Sequence, residues 1–240
     1  MKKSIPNIIT SSNLFSGCIS VVFAFQGLLA EAALLILVGA FLDFFDGLSA
    51  RLLKVASPIG KELDSLADVI TFGFAPSVIG YQLLVELFPE QPFVPFSAFL
   101  IAIFSAYRLA KFNIDERQTS SFIGVPTPAN ALFWLSIPLI EWQGVHFSSE
   151  IAMSVYAFMT NPIFILINVL VWSLLLIAEI PLFALKFKSF KWKDNQLTFS
   201  FIGISIALFM LFYFIAIPII LILYIILSVI TNSIKSKNEI

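Results

Sequence analysis

The chain has one cysteine and one histidine in 240 residues, and only 12% of it is charged. A lone Cys18 excludes an intrachain disulfide and any paired-cysteine metal site. A lone His146 excludes histidine clusters. Soluble domains carry about 25% charged residues, so this shortage excludes an ordinary soluble fold. There is no basic domain, and a net charge of −1 gives no sign of a nucleic-acid partner. What fills the chain instead is apolar: 59% hydrophobic residues, 27 of them Phe, with a mean hydropathy of +0.98. The class that fits is an all-α, polytopic membrane helix bundle. Its length allows about six to eight spans of roughly 20 residues. The stretch MKKSIPNIITSSNLF lacks a small-residue cleavage site, which predicts a retained first span.

Apolar runs place the spans at residues 6–26, 32–53, 61–88, 93–111, 129–142 and 162–185. The first contains Ser11, Ser12, Asn13, Gly17 and Ser20, which suits close helix packing more than lipid contact. Residues 54–60, with Ser57-Pro58, read as a helix-breaking loop. Residues 145–160 fit either an interfacial segment or extensions of their neighbours. Residues 197–230 are almost unbroken apolar sequence, too long for one span; Pro218 is the expected dividing point of a C-terminal hairpin. The alternative is one long tilted helix and seven spans. Trp134, Trp142 and Trp192 read as interface anchors.

Charge asymmetry orients this layout. With eight spans and the N-terminus inside, all 14 Lys and Arg fall in cytoplasmic segments. The opposite side carries Glu31, Glu86, Glu90, Glu141, Glu150 and His146. This is the positive-inside pattern. The basic loop 186–193 fits contact with anionic lipid.

Against that apolar background, residues 41–76 hold Asp43, Asp46, Asp64 and Asp68. An Asp at the centre of a membrane helix costs roughly 2.5–3.5 kcal/mol, so something must offset four of them. The charge map already places them at the cytoplasmic ends of the second and third spans, where the cost is lower. Asp43 and Asp46 are three residues apart and lie within about 60° on a helix; Asp64 and Asp68 are four apart and lie within about 40°. Two antiparallel helices would then turn four carboxylates into one cleft. Hard divalent cations, Mg²⁺ or Mn²⁺, suit such oxygen ligands, and two can sit about 3.5–4 Å apart in phosphoryl-transfer sites. Gly47 lets a ligand approach the helix, Gly60 breaks the chain before the second pair, and Arg51 can fork onto a phosphate. An intramembrane carboxylate cluster also fits a divalent-cation transporter, though that role spreads acidic residues through the bilayer and gives Arg51 nothing to do.

The pattern Asp43-x2-Asp46-Gly47-x2-Ala50-Arg51-x8-Gly60-x3-Asp64-x3-Asp68 resembles the signature of the CDP-alcohol phosphatidyltransferase family at every position. The resemblance implies a six-helix core over residues 1–190, with residues 191–240 as an added hairpin. It implies a dinuclear site of two divalent cations on Asp43, Asp46, Asp64 and Asp68, with Asp68 also the general base. Gly47, Ala50, Arg51 and Gly60 match CDP-binding positions, and Asn7 and Asn13 on the first span lie within reach of the nucleotide. Three shorter stretches, IPNIITSSNLFSG, YRLAKFN and FIGVPTPAN, resemble the branch whose acceptor is L-serine. That branch implies transfer of a phosphatidyl group from CDP-diacylglycerol to L-serine, giving phosphatidylserine and CMP. Arg108 and Lys111 would face the serine carboxylate, or else anchor to lipid phosphate. Gly124, Pro126 and Pro128 would shape a loop wall. Glycerol 3-phosphate or an inositol phosphate is the alternative acceptor. The likeness further implies a homodimer in a bacterial inner membrane, its site and N-terminus facing the cytoplasm.

Overall fold

The computed structural model describes residues 4–55, 57–115, 122–183 and 192–238. The expectations placed on Lys2, Lys3, Arg117, Lys186, Lys188, Lys191 and the side chains of Lys235 and Lys237 lie outside these residues. Helix α1 (Ile5–Phe25) turns sharply at Gly27 (φ 79°) into α2 (Leu29–Leu53). Their backbones pack closely because the contact is built from small residues. Ser16 Oγ donates to the Leu35 carbonyl at 2.7 Å, and Ser20 Oγ donates to the Ala32 carbonyl at 2.8 Å.

Helix α2 ends with Lys54 in the left-handed region (φ 53°), where the Val55 N–H closes back onto the Ala50 carbonyl. The expected loop 54–60 is shorter than predicted. Ser57 is an N-cap whose hydroxyl accepts from the Gly60 N–H at 3.0 Å, and Pro58 takes the first helical position. Thus Ser57-Pro58 opens a helix where it was expected to break one, and Gly60 lies inside the first turn of α3 (Pro58–Asp68).

Helix α3 continues through a π-helical turn, Val69–Phe74, into α4 (Ala75–Leu87). Thr71 explains where this turn packs. A Cβ at Gly17 of α1 or at Gly39 of α2 would overlap the Thr71 side chain, so both helices leave room for it. The Thr71 hydroxyl donates to the Asn13 carbonyl at 3.1 Å. A π turn rotates one helical segment relative to the next. The carboxylate face of α3 and the buried face of α4 therefore need not share one continuous stripe.

A short 3₁₀ segment, Val94–Phe99, leads into α5 (Leu100–Ile114). Helix α6 (Thr127–His146) is the central element, with Leu135, Ile137, Leu139 and Ile140 buried. Its 20 residues span ~30 Å, the thickness of a bilayer core. Trp134 is corrected here: it is fully buried and meets Phe133 edge-on at 5.5 Å, so it is a core residue.

The ambiguous stretch 145–160 resolves into α7 (Glu150–Met159), bent by 69° from α8 (Pro162–Ile177). Asn161 caps α8 by accepting from Ile163 and Phe164 N–H groups. Helix α8 ends at Ile177, short of the expected residue 185. A residue before proline is pushed toward extended backbone, and Pro181–Leu182 (β2) pairs antiparallel with Phe122–Ile123 (β1). The Gly124 N–H donates to the Ile180 carbonyl at 2.9 Å with φ at 76°.

The last apolar run is a hairpin, α9 (Gln196–Phe212) and α10 (Ala216–Asn238). The Phe201 and Tyr224 rings lie 5.6 Å apart, which requires the chain to double back. It does so at Tyr213 (φ 51°, ψ −123°), not at Pro218. Pro218 sits in the first turn of α10, where its missing N–H costs nothing. Among the described residues, five helical runs are long and apolar enough to cross a membrane, or six with the bent α7–α8 pair counted as one span. The longest, Gln196–Ser233, is this hairpin. The fold is an all-α polytopic bundle.

Candidate active site

Helices α2 and α3 bring their carboxylates together at one end of the bundle. One oxygen each from Asp43, Asp64 and Asp68 lies within 4.8 Å of the others. Asp46 stands beside them, and its Oδ2 accepts from the Thr10 hydroxyl of α1 at 2.6 Å. The same Oγ1 lies 3.0 Å from the Pro6 carbonyl, a second acceptor within reach of its single proton and one common for a helical threonine. Sequence reasoning missed Thr10. Only its i+3 and i−3 relation to Asn13 and Asn7 hinted that it shared their face.

Two adjoining hollows flank the cluster. One, of about 270 Å³, is lined by Asn7, Thr10, Asp46, Gly47, Ala50 and Gly60. The other, of about 450 Å³, reaches from Asp43, Asp64 and Asp68 to Arg51, Arg108 and Thr127. Asp46, Gly47, Lys61 and Asp64 border both. At Gly47 a Cβ would meet only Arg51 Nη1, at 3.9 Å, so the helix surface there is open to a ligand. At Gly60 it would press on Ser57 Oγ at 3.0 Å and Asn7 Oδ1 at 3.1 Å. Glycine at 60 therefore serves the cap and the approach of α1, and not a chain break.

Most of the expected site residues meet here, but two do not. Asn13 is fully buried one turn deeper than Thr10, against Gly39, and lines neither hollow. Lys111 donates to Glu179 at 3.2 Å and does not line the cleft that Arg108 lines. Arg108 is 6% exposed, with its guanidinium 5.4 Å from the Phe112 ring centre. Lys61, unassigned in the sequence, borders both hollows and donates to the Asn113 carbonyl at 3.1 Å. Asn113 in turn donates to Ser65 at 2.9 Å, tying α5 to α3.

The donor set fits a hard divalent cation. Among the described residues none of the four aspartates is ion-paired, and one buried oxygen of Asp68 has no hydrogen-bond partner. Clustered carboxylates repel each other unless a cation sits between them. Hard divalent ions take oxygen ligands of this kind.

Residues 3–232 match the family model described as CDP-alcohol phosphatidyltransferase. A CDP-diacylglycerol–serine O-phosphatidyltransferase of Bacillus subtilis is 40% identical over 124 residues, which are 52% of this chain and 69% of that protein. The Helicobacter pylori (strain 26695) protein of the same name is 39% identical over 138 residues, 57% of each chain. An archaetidylserine synthase of Methanothermobacter thermautotrophicus is 31% identical over 131 residues, 54% of this chain and 55% of that one. The chain thus spans little more than half the length of the last two.

Proposed function

The chain belongs to the CDP-alcohol phosphatidyltransferase family, and from that membership we propose that it transfers the phosphatidyl group of CDP-diacylglycerol to L-serine, releasing CMP. The observation that carries this reading is the convergence of Asp43, Asp64 and Asp68 beside a nucleotide-sized hollow. The activities for which the relatives are named support serine as the acceptor.

Asp43, Asp46, Asp64 and Asp68 would hold two divalent cations, Mg²⁺ or Mn²⁺. Bound there, the cations would neutralise pyrophosphate oxygens and stabilise charge during phosphoryl transfer. The remaining work falls to the chain. Thr10 fixes the rotamer of Asp46. The hollow under Gly47, Ala50 and Gly60 takes the cytidine nucleotide, with Asn7 on its wall. Arg51 and Lys61 stand where phosphate oxygens need donors. Asp68 accepts the proton of the serine hydroxyl as its oxygen bonds to the phosphorus that carries diacylglycerol. The bond from that phosphorus to the CMP oxygen breaks, and CMP leaves with the electron pair. Arg108 faces the serine carboxylate.

The site end of the bundle also carries Arg51, Lys54, Lys61, Arg108 and Lys111, and the other end carries Glu31, Glu86, Glu141 and His146. This polarity supports a cytoplasmic site in a bacterial inner membrane. The family likeness adds a homodimer and a division into a core of residues 1–190 and a hairpin of residues 191–240. The test uses detergent-purified full-length protein with CDP-diacylglycerol and radiolabelled L-serine. Phosphatidylserine on thin-layer plates, with CMP release abolished by chelator and restored by Mg²⁺ or Mn²⁺, is the expected result. Turnover only with glycerol 3-phosphate would reassign the acceptor, and activity surviving exhaustive chelation would remove the metal site.

A further inference from the structure

The last helix grips the strand pair through a polar stripe. Tyr224, Ser228 and Asn232 follow each other at four-residue spacing on α10, so they share one face of it. All three bond to the backbone around β2. The Tyr224 hydroxyl donates to the Phe183 carbonyl at 2.8 Å. Ser228 Oγ accepts from the Phe183 N–H at 3.4 Å and donates to the Tyr224 carbonyl at 2.7 Å. Asn232 Nδ2 donates to the Pro181 carbonyl. Ser228 is fully buried and Tyr224 nearly so. The Phe183 ring meets Tyr224 at 4.8 Å and Phe201 of α9 at 5.7 Å, both edge-on.

Irregular backbone in a membrane bundle needs partners from the protein, and these side chains supply them. The backbone they hold leads to the active site. Strand β2 pairs with β1, with Leu182 opposite Phe122 and Pro181 opposite Ile123. Just past β1, the Gly124 N–H donates to the Ile180 carbonyl and the Val125 N–H to the Leu175 carbonyl, each at 2.9 Å. A Cβ on Gly124 would lie 2.6 Å from the Leu176 carbonyl oxygen, so this crossing has no slack. Pro126, Thr127 and Pro128 come next, and all three line the larger hollow with Asp68 and Arg108. Two prolines in three residues fix φ there, so a shift of β1 is passed on to the wall and not absorbed. The smaller hollow is lined by residues between Pro6 and Asp64, on α1, α2, α3 and the turn before α3.

We propose that the α9–α10 hairpin is a positioning element of the active site. Tyr224 and Ser228 hold β2, β2 holds β1, and β1 sets where residues 126–128 stand in the wall of the larger hollow. The hairpin is then part of the catalytic structure and not an appendage to a six-helix core. Tyr224 and Ser228 touch no substrate; they act through the strand pair. The kinetic half of this proposal rests on the serine-transfer reading above. The mechanical half is read without turnover.

Tyr224→Phe keeps the ring contacts and removes the hydroxyl, which strands the Phe183 carbonyl. In the full-length protein in detergent, the Gly124 and Val125 amides should exchange hydrogen roughly three- to tenfold faster than in wild type, the reach of one lost hydrogen bond. Exchange at the α1–α2 turn should not change. The Michaelis constant for serine should rise by a similar factor, while kcat and the constant for CDP-diacylglycerol hold. Gln143→Leu separates anchoring from stability, because Gln143 bonds the far turn of the same hairpin at Phe212 and Phe214. It should lower the melting midpoint and leave both Gly124 exchange and the serine constant as in wild type. Unchanged exchange at Gly124 and Val125 in folded Tyr224→Phe overturns the linkage. Faster exchange with an unchanged serine constant overturns the role in the site, and an equal rise of that constant in Gln143→Leu reduces the effect to stability and overturns it too. If Tyr224→Phe does not fold, Ser228→Ala is read by the same criteria. A wild type that releases no CMP with serine overturns the acceptor reading alone, and the exchange comparison still decides the linkage.

Discussion

Helix α6 carries two buried amides, Asn130 near its start and Gln143 near its end, and the fold treats them in opposite ways. Gln143 uses both of its groups. Its Oε1 accepts from the Phe214 N–H at 2.9 Å, and its Nε2 donates to the Phe212 carbonyl at 3.2 Å. This clamps the turn of the α9–α10 hairpin onto the bundle. Asn130 is at least as deeply buried and has no partner for either amide atom. A similar contrast sets several far-end side chains against those that line the cleft. At the far end, polar side chains close caps and turns: Ser149 caps α7, Asn161 caps α8 and Gln82 donates to the Ala24 carbonyl at 2.9 Å. At the site end, Asp68, Arg108 and Thr127 line a cleft and each keeps a buried atom without a partner. A satisfied polar group in a membrane bundle holds the fold together. An unsatisfied one on the wall of a cleft is a candidate contact for a ligand.

The sharpest way to break this contrast is to substitute one residue from each end and compare stability with turnover. Asp68→Asn keeps the shape and removes a negative charge from a crowded cluster. Serine-dependent CMP release should fall by about 10²–10⁴, the usual worth of a positioned general base. The thermal midpoint in detergent should hold or rise, because one source of repulsion is gone. Near-normal turnover would take the base role away from Asp68. A large loss of stability would mean that the cluster is structural after all.

Gln143→Leu should behave in the reverse sense. It leaves the Phe212 carbonyl and the Phe214 N–H buried without partners, at a cost of about 2–3 kcal/mol in total. Activity per folded molecule should stay within about twofold of wild type. The readout is the detergent melting curve beside the CMP assay. A variant that melts like wild type would show that the hairpin turn is held by its aromatic contacts, such as Trp142 on Phe214 at 6.2 Å.

What was legible in the sequence follows the range of the forces involved. The aspartate pairs were legible because helical spacing alone fixes which side chains share a face, and neither helix needs a partner for that. The membrane class was legible because lipid demands helices of known length. The π turn at Val69–Phe74 was not, since its packing depends on Thr71 meeting Gly17 and Gly39 from two other helices. Helix α8 stopped early because β1, remote in sequence, pairs with the chain around Pro181. The hairpin divided at Tyr213 instead of Pro218 because a proline in a first turn breaks nothing. Thr10 was hidden among helix-packing residues, and its role emerges only once α1 lies against Asp46. Tertiary contacts decide each of these, and no local pattern encodes them.

Lys111 tests the smallest effect and the finest division within the contrast. It is one turn from Arg108 on α5, and the same stretch of sequence made both candidates for the serine carboxylate. The structure separates them by burial. Arg108 is buried in the cleft with an unpaired nitrogen, whereas Lys111 is about one-third exposed and paired with a Glu179 that is mostly exposed. An exposed pair of this kind contributes about 0–1 kcal/mol and weakens with salt. Lys111→Met should therefore shift the melting midpoint slightly at low ionic strength and not at all at high ionic strength. It should leave the serine Michaelis constant unchanged. A rise comparable to that expected for Tyr224→Phe would place Lys111 with the ligand-facing group, and pairing in the absence of ligand would no longer separate structural from functional charge at this end of the bundle.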